Sequence, residues 1–112
     1  MNRENFERVY RRAQFGFRVL DAFSEAGVNT ADRVKVLLEL YKQRDGKVTR
    51  PALRSAVGGP NNSYFSTSVL TPLKRDRYIK TYRSSTKHKF SFIEITSVGE
   101  GLVEQVMEAL GE

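Results

Sequence analysis

The sequence predicts an α+β fold that is mainly α: a long N-terminal helix, a three-helix core, a two-strand hairpin and a C-terminal helix. Three observations carry this prediction. Apolar residues recur at three- and four-residue steps in several stretches, the period of a one-sided helix. Glycine and proline turns at Gly27, Asp45-Gly46 and Gly58-Gly59-Pro60 separate those stretches. After Arg77 the pattern changes to short β-branched and aromatic runs on either side of a polar link.

Taken in order, residues 4–26 read as the first helix. Phe6, Tyr10, Ala13, Phe17 and Leu20 form its stripe, with Val9, Val19 and Phe23 widening it. Gly16 is a soft spot, and Gly27 stops the helix. Residues 31–44 read as the second, capped by Asn29 or Thr30, with Asp32 at the positive end of its dipole. Val34, Leu37, Leu38 and Tyr41 are its inward residues. A short third helix spans 51–57, with Thr49 as cap, Pro51 in the first turn, and Leu53, Ala56 and Val57 buried.

The fourth helix starts at Asn62 or Ser63, one of which caps it, and runs to Arg75. Phe65, Val69, Leu70 and Leu73 face inward, opposite Tyr64, Thr67, Ser68, Thr71, Lys74 and Arg75. Pro72 cannot donate to Ser68 and should loosen or kink the last turn. Strands are expected at 78–83 and 88–95, joined through Ser84-Ser85-Thr86-Lys87. Ile93 and Ile95 share one face of the second strand, Phe90 and Phe92 the other. Either both sides are covered or a bulge switches the register. The last helix, 97–110, has an apolar stripe (Leu102, Val103, Val106, Met107, Leu110) beside an acidic one (Glu100, Glu104, Glu108, Glu112).

At 112 residues the chain is one domain's worth. It divides into an N-terminal helix region, 1–30, a central unit, 31–96, and a C-terminal helix region, 97–112. Twelve aromatics and 39% hydrophobic residues argue for a packed core. The absence of cysteine removes disulfide, thiol-redox and cysteine-zinc chemistry. No stretch has the length of a membrane span, and the start, MNRENFERVYRR, lacks the apolar run of a secretion signal. The expected location is the cytoplasm, in association with the nucleoid.

Charge is segregated. Between Lys47 and Lys89 there are ten Lys or Arg and one acid, Asp76, a net +9 within a chain of +6, so the rest of the chain sums to −3. A helix and a ribbon with this excess suit a polyanion, most simply duplex DNA.

The order helix, helix, short helix, glycine turn, helix, basic hairpin is that of a winged helix-turn-helix, in which one helix enters the major groove and the hairpin lies beside it. Base-contact candidates sit at the N-terminal end of the reading helix: Asn62, Ser63, Tyr64, Ser66 and Thr67. Arg50, Arg54, Thr71, Lys74 and Arg75 are candidates for the DNA backbone. On the wing, Arg83, Lys87, His88 and Lys89 can follow the backbone or the minor groove. His88, the lone histidine, has no Cys or acid cluster with which to hold a metal. No nucleophile is paired with a base and no glycine-rich phosphate loop is present, so neither an enzyme nor a cofactor is expected.

From Arg33 to Thr96 the chain resembles winged-helix transcriptional regulators of the MarR and PadR type. VKVLLELYKQRDGKVTRPALRSAVG is similar to their core helix and first motif helix. NNSYFSTSVLTPLKRDRYIKTY is similar to the recognition helix and its exit, and IEITSVGEGLVEQV to the end of the wing, a Thr-x-x-Gly turn and the following helix. Three features depart from the pattern. Lys87-His88-Lys89 replaces the Asp-x-Arg of MarR wings, Arg77 stands where glycine is usual, and the C-terminal helix is shorter than in PadR members. The resemblance implies a repressor or autoregulator that binds double-stranded DNA as a homodimer built by the terminal helices. Dimerisation candidates are Phe6, Tyr10, Phe17, Leu102, Val106 and Leu110. Two other uses of such a scaffold are a plasmid or viral DNA-partition adaptor that binds repeated sites, and a protein-interaction module.

Overall fold

The computed structural model describes residues 2–83 and 91–111. Among the described residues, five helices and three strands follow one another as α1 (Arg3–Glu25), α2 (Ala31–Lys42), β1 (Val48–Thr49), α3 (Arg50–Ala56), α4, β2 (Ile79–Arg83), β3 (Ser91–Ile95) and α5 (Ser97–Leu110). Helix α4 is continuous but changes pitch: a first turn Asn62–Tyr64, a π-helical segment Phe65–Leu70 and a final α turn Thr71–Arg75.

Local chemistry sets the boundaries. Asn2, Thr30, Thr49 and Thr96 each accept a backbone N–H at the start of α1, α2, α3 and α5. Thr30, not Asn29, caps α2, which ends at Lys42, two residues before the expected limit of 44. Gly27, at φ 96°, ends the first helix in the left-handed conformation.

The sheet has three strands in the order β1-β3-β2, where the sequence predicted two. Val48 and Thr49 pair with Ile93 and Phe92, a contact too short to announce itself in the pattern. β2 and β3 are antiparallel in an unbroken register from Ile79↔Ile95 to Arg83↔Ser91, so no bulge switches faces here. Alternation then sorts the ribbon. Ile79, Thr81 and Arg83 share the inner face with Ser91, Ile93 and Ile95, and Lys80 and Tyr82 share the outer face with Phe92 and Glu94. The outer face is tied by a Lys80–Glu94 ion pair (2.8 Å) and a Tyr82–Phe92 ring pair at 5.6 Å. Lys47 lies over the Phe92 ring. Phe90 and the hairpin tip lie outside the described residues.

The core is one cluster. Phe23, Leu37, Leu40, Leu53, Phe65, Val69, Leu73, Ile79, Ile93 and Val103 bring every helix and the β2–β3 ribbon into contact. Several inward assignments change. Val36 and Leu40 are fully buried in α2, whereas Leu38 and Tyr41 are half-buried, and Ala56 is exposed. Leu102 and Val106, expected on a dimer face, are buried in the chain's own core, because α5 packs against α1, α2 and β3. Leu110 is half-buried against the same core. The opposite holds for α1: only Val19 and Phe23 are buried, and Phe6, Tyr10 and Phe17 are 56%, 50% and 60% exposed.

Candidate nucleic-acid interface

Helix α4, at the position expected of a reading helix, is held by its neighbours at both ends. Gly58 and Gly59 adopt φ 106° and 66°, which turns the chain sharply after α3. Asn61 then caps α4, its side chain accepting from the N–H groups of Ser63 and Tyr64. The expectation that Asn62 or Ser63 caps is thus corrected by one residue. Two adjacent asparagines leave that register open in sequence, and the structure resolves it. Asn62 and Ser63 are exposed in the first turn with their side chains uncommitted to the cap.

Not all of the predicted base-reading group stands free. The Tyr64 hydroxyl donates to Asp32 at the start of α2 (3.0 Å). That bond, with some burial and the nearby Asp32 charge, raises the Tyr64 pKa above its ordinary value, while Arg33 pulls the other way. Ser66 is half-buried, and its hydroxyl accepts from the Arg50 guanidinium. Thr67 is exposed, its hydroxyl donating to the Ser63 carbonyl (2.7 Å), which leaves an oxygen able to accept. The outward group at the head of the helix is therefore Asn62, Ser63 and Thr67, with Tyr64 and Ser66 acting first as struts.

Two arginines expected on DNA backbone also work inside the motif. Arg50 donates to the Asn62 carbonyl (3.3 Å) as well as to Ser66, and stands over the Phe65 ring. Arg54 donates to the Pro60 carbonyl (2.6 Å), closing the turn between α3 and α4. Both are half-buried, so they set the angle between the two motif helices.

Pro72 leaves its mark upstream of the expected place. A proline cannot donate to the carbonyl four residues back, and its ring crowds that carbonyl. Instead of a kink in the last turn, the ladder widens over Phe65–Leu70, and the Thr71 N–H reaches Ser66 O, five residues back. The Thr71 hydroxyl donates to the same carbonyl (2.7 Å). Ser68, the carbonyl that Pro72 cannot serve, accepts from Arg33 Nε of α2 (3.0 Å). Asp32 and Arg33 thus dock the reading helix on α2, a role that sequence spacing did not show.

At the C-terminal end of α4, Thr71, Lys74 and Arg75 are exposed, with Arg75 near Asp76 (3.6 Å). Arg77 adopts φ 65°, the left-handed conformation that makes glycine usual at this position. The exit is fixed from the other side: the Thr96 hydroxyl donates toward the Arg77 and Tyr78 carbonyls (2.6 and 3.1 Å), and Thr96 N–H donates to Tyr78 O. Arg83 is exposed at the end of β2, while Lys87, His88 and Lys89 lie outside the described residues. Among the described residues no group of three or more His, Cys, Asp or Glu is placed to hold a metal. No described helix is long and apolar enough to cross a membrane.

No protein-family model matches the sequence, and no curated protein matches it. Solved structures do. MepR, a transcription regulator of the Staphylococcus aureus multidrug efflux pump MepA, superposes with a TM-score of 0.78 at 16% identity, over 98% of this chain and 77% of its own. NadR in complex with 4-hydroxyphenylacetate gives 0.72 at 18% identity, over 98% of this chain and 74% of its own. The regulator Tm0710 from Thermotoga maritima gives 0.72 at 22% identity, over 96% and 74%. A MepR mutant bound to an oligodeoxyribonucleotide matches at 0.77 with 16% identity, over 97% and 77%. These neighbours are winged-helix transcription regulators of the MarR type, and this chain has their winged helix-turn-helix fold.

Proposed function

We propose that this chain is a dimeric, sequence-specific transcriptional regulator that binds double-stranded DNA, with α4 in the major groove and the basic wing along the backbone or minor groove. One observation carries the reading. The exposed head of α4 offers short polar side chains, Asn62, Ser63 and Thr67, and its exposed tail and the following strand offer Lys74, Arg75 and Arg83. Short polar groups at a helix N-terminus reach base edges, and cations further on meet phosphates. That a MepR mutant has been seen with an oligodeoxyribonucleotide bound supports the same use of a shared fold.

Dimerisation rests on α1. Every residue from Arg3 to Arg18 is exposed, including an apolar row of Phe6, Val9, Tyr10 and Phe17. A helical segment of that length without tertiary support is marginal in water, so a second copy covering it is the economical account. The two reading helices would then lie about 34 Å apart, matched to a pseudo-palindromic site. The role places the protein on the nucleoid in the cytoplasm and calls for no cofactor.

The test is binding to duplex DNA as salt is varied. Affinity falls with salt at a log–log slope of about −0.9 per phosphate neutralised. Arg83→Ala weakens binding to all duplexes and flattens the slope. Asn62→Ala or Thr67→Ala instead reduces preference for the cognate site, by about 1–3 kcal/mol per lost base contact. Affinity independent of salt would exclude this function.

A further inference from the structure

Between the reading helix and the sheet is a cleft of about 220 Å³, lined by Arg50, Ser66, Thr71, Lys74, Thr81 and Ser91 over a floor of Leu70 and Ile93. Resting on the DNA-binding reading above, we infer that this cleft is a phosphate seat, which grips one backbone phosphodiester of the duplex between helix and wing.

Strand alternation builds one wall. The inner face of the ribbon is apolar where it covers the core, at Ile79, Ile93 and Ile95, and becomes polar one step further out, at Thr81 and Ser91, with Arg83 paired to Ser91 on the same face. The hydroxyls of Thr81 and Ser91 therefore face the helix and not the outer side of the wing. The tail of α4 builds the opposite wall with Thr71 and Lys74, and Arg50 of α3 closes the end.

The chemistry of the lining is one-sided. Two cations enter it and no carboxylate does. Among the described residues neither Arg50 nor Lys74 is in an ion pair, whereas Arg75 and Lys80 are near Asp76 and Glu94. Ser66 accepts from Arg50, so its own O–H proton remains to be given. Thr71 has already given its proton to the Ser66 carbonyl and serves as wall. The cleft thus presents an ammonium, the unused edge of a guanidinium and three hydroxyl donors, a set matched to a tetrahedral anion. Arg50 is already held by Asn62 O and Ser66, so this end of the seat is preorganised. The same bonds couple phosphate capture to the placement of the Asn62 turn.

The experiment pairs protein changes with single neutral phosphates. A bound duplex is made with one methylphosphonate at each position in turn, and affinity is measured for the unaltered chain, for Lys74→Gln with Thr81→Val, and for Ser91→Ala. In the unaltered chain one position in each half-site costs about tenfold when neutralised, the scale of a lost charge-assisted contact. In the double variant that same position costs less than about twofold, while other positions keep their cost. Ser91→Ala gives a partial loss of the same coupling and guards against a folding defect in the double variant. Costs that add independently at every position, in both variants, overturn the seat while leaving DNA binding intact. No duplex binding by the unaltered chain overturns the DNA reading and the seat with it.

Discussion

Asp32 and Arg33 show how much a few side chains decide at the scale of the residue. One accepts from the Tyr64 hydroxyl and the other donates to the Ser68 carbonyl, so adjacent residues of α2 hold two successive turns of α4. The Tyr64 contact has a pH signature. Its pKa lies above the ordinary 10.0, first because the phenol donates to Asp32. A raised folded value means that the contact's stabilisation is complete below the unfolded value and is lost as pH rises through the folded one. Asp32→Asn returns the Tyr64 titration, followed by its ring carbon resonance, toward the ordinary value. An unmoved midpoint would mean that the bond does not hold in solution.

The α4–β2–α5 corner shows what elements demand of one another. Gly99 has no room for a side chain: a Cβ there would lie 2.3 Å from the Tyr78 carbonyl oxygen and 2.7 Å from Ile95 Cγ1. The backbone of α5 therefore rests directly on the exit of the reading helix, where Thr96 also bonds. Gly99→Ala is expected to cost about 1–3 kcal/mol of stability, because the atom nearest the new methyl, the Tyr78 carbonyl oxygen, is backbone and cannot swing away. Chemical denaturation measures it, and an unchanged midpoint would contradict the close packing.

Most elements were legible in the sequence for a physical reason. Helical stripes, caps and glycine turns are local signals, and Thr30, Thr49 and Gly27 act where their chemistry places them. What escaped depends on distant parts of the chain. β1 exists through its pairing with β3, and Pro72 widened the helix upstream because Arg33 and Thr71 were placed to serve the displaced carbonyls. For the candidate site, exposure and engagement within the motif differ from residue to residue. Asn62, Ser63 and Thr67 are exposed, while Ser66, Arg50 and Arg54 are engaged within the motif. Thr81 and Ser91 could be found only once strand register was known.

The whole molecule is elongated, 57 × 29 × 25 Å, with a radius of gyration of 15.7 Å against about 13 Å for a compact chain of similar length. The excess matches the largely uncovered α1, about 34 Å long at the helical rise. An apolar cleft of about 480 Å³ between α1 and α2, lined in part by Phe17, Leu20 and Leu38, continues that uncovered face. Replacing Phe6 and Phe17 by Ser is expected to convert a dimer to a monomer in analytical ultracentrifugation while the fold of residues 31–83 persists. A dimer of unchanged strength would move the interface away from α1. Loss of the dimer should also weaken binding to a full palindrome far more than to a half-site.

The most direct measurement is selection of bound sequences from random duplex DNA by the unaltered chain. A dimeric reader of DNA enriches a two-fold related pair of short half-sites whose centres lie about one helical turn, ~34 Å, apart. Recovery of an unenriched pool, or of no duplex at all, would contradict it.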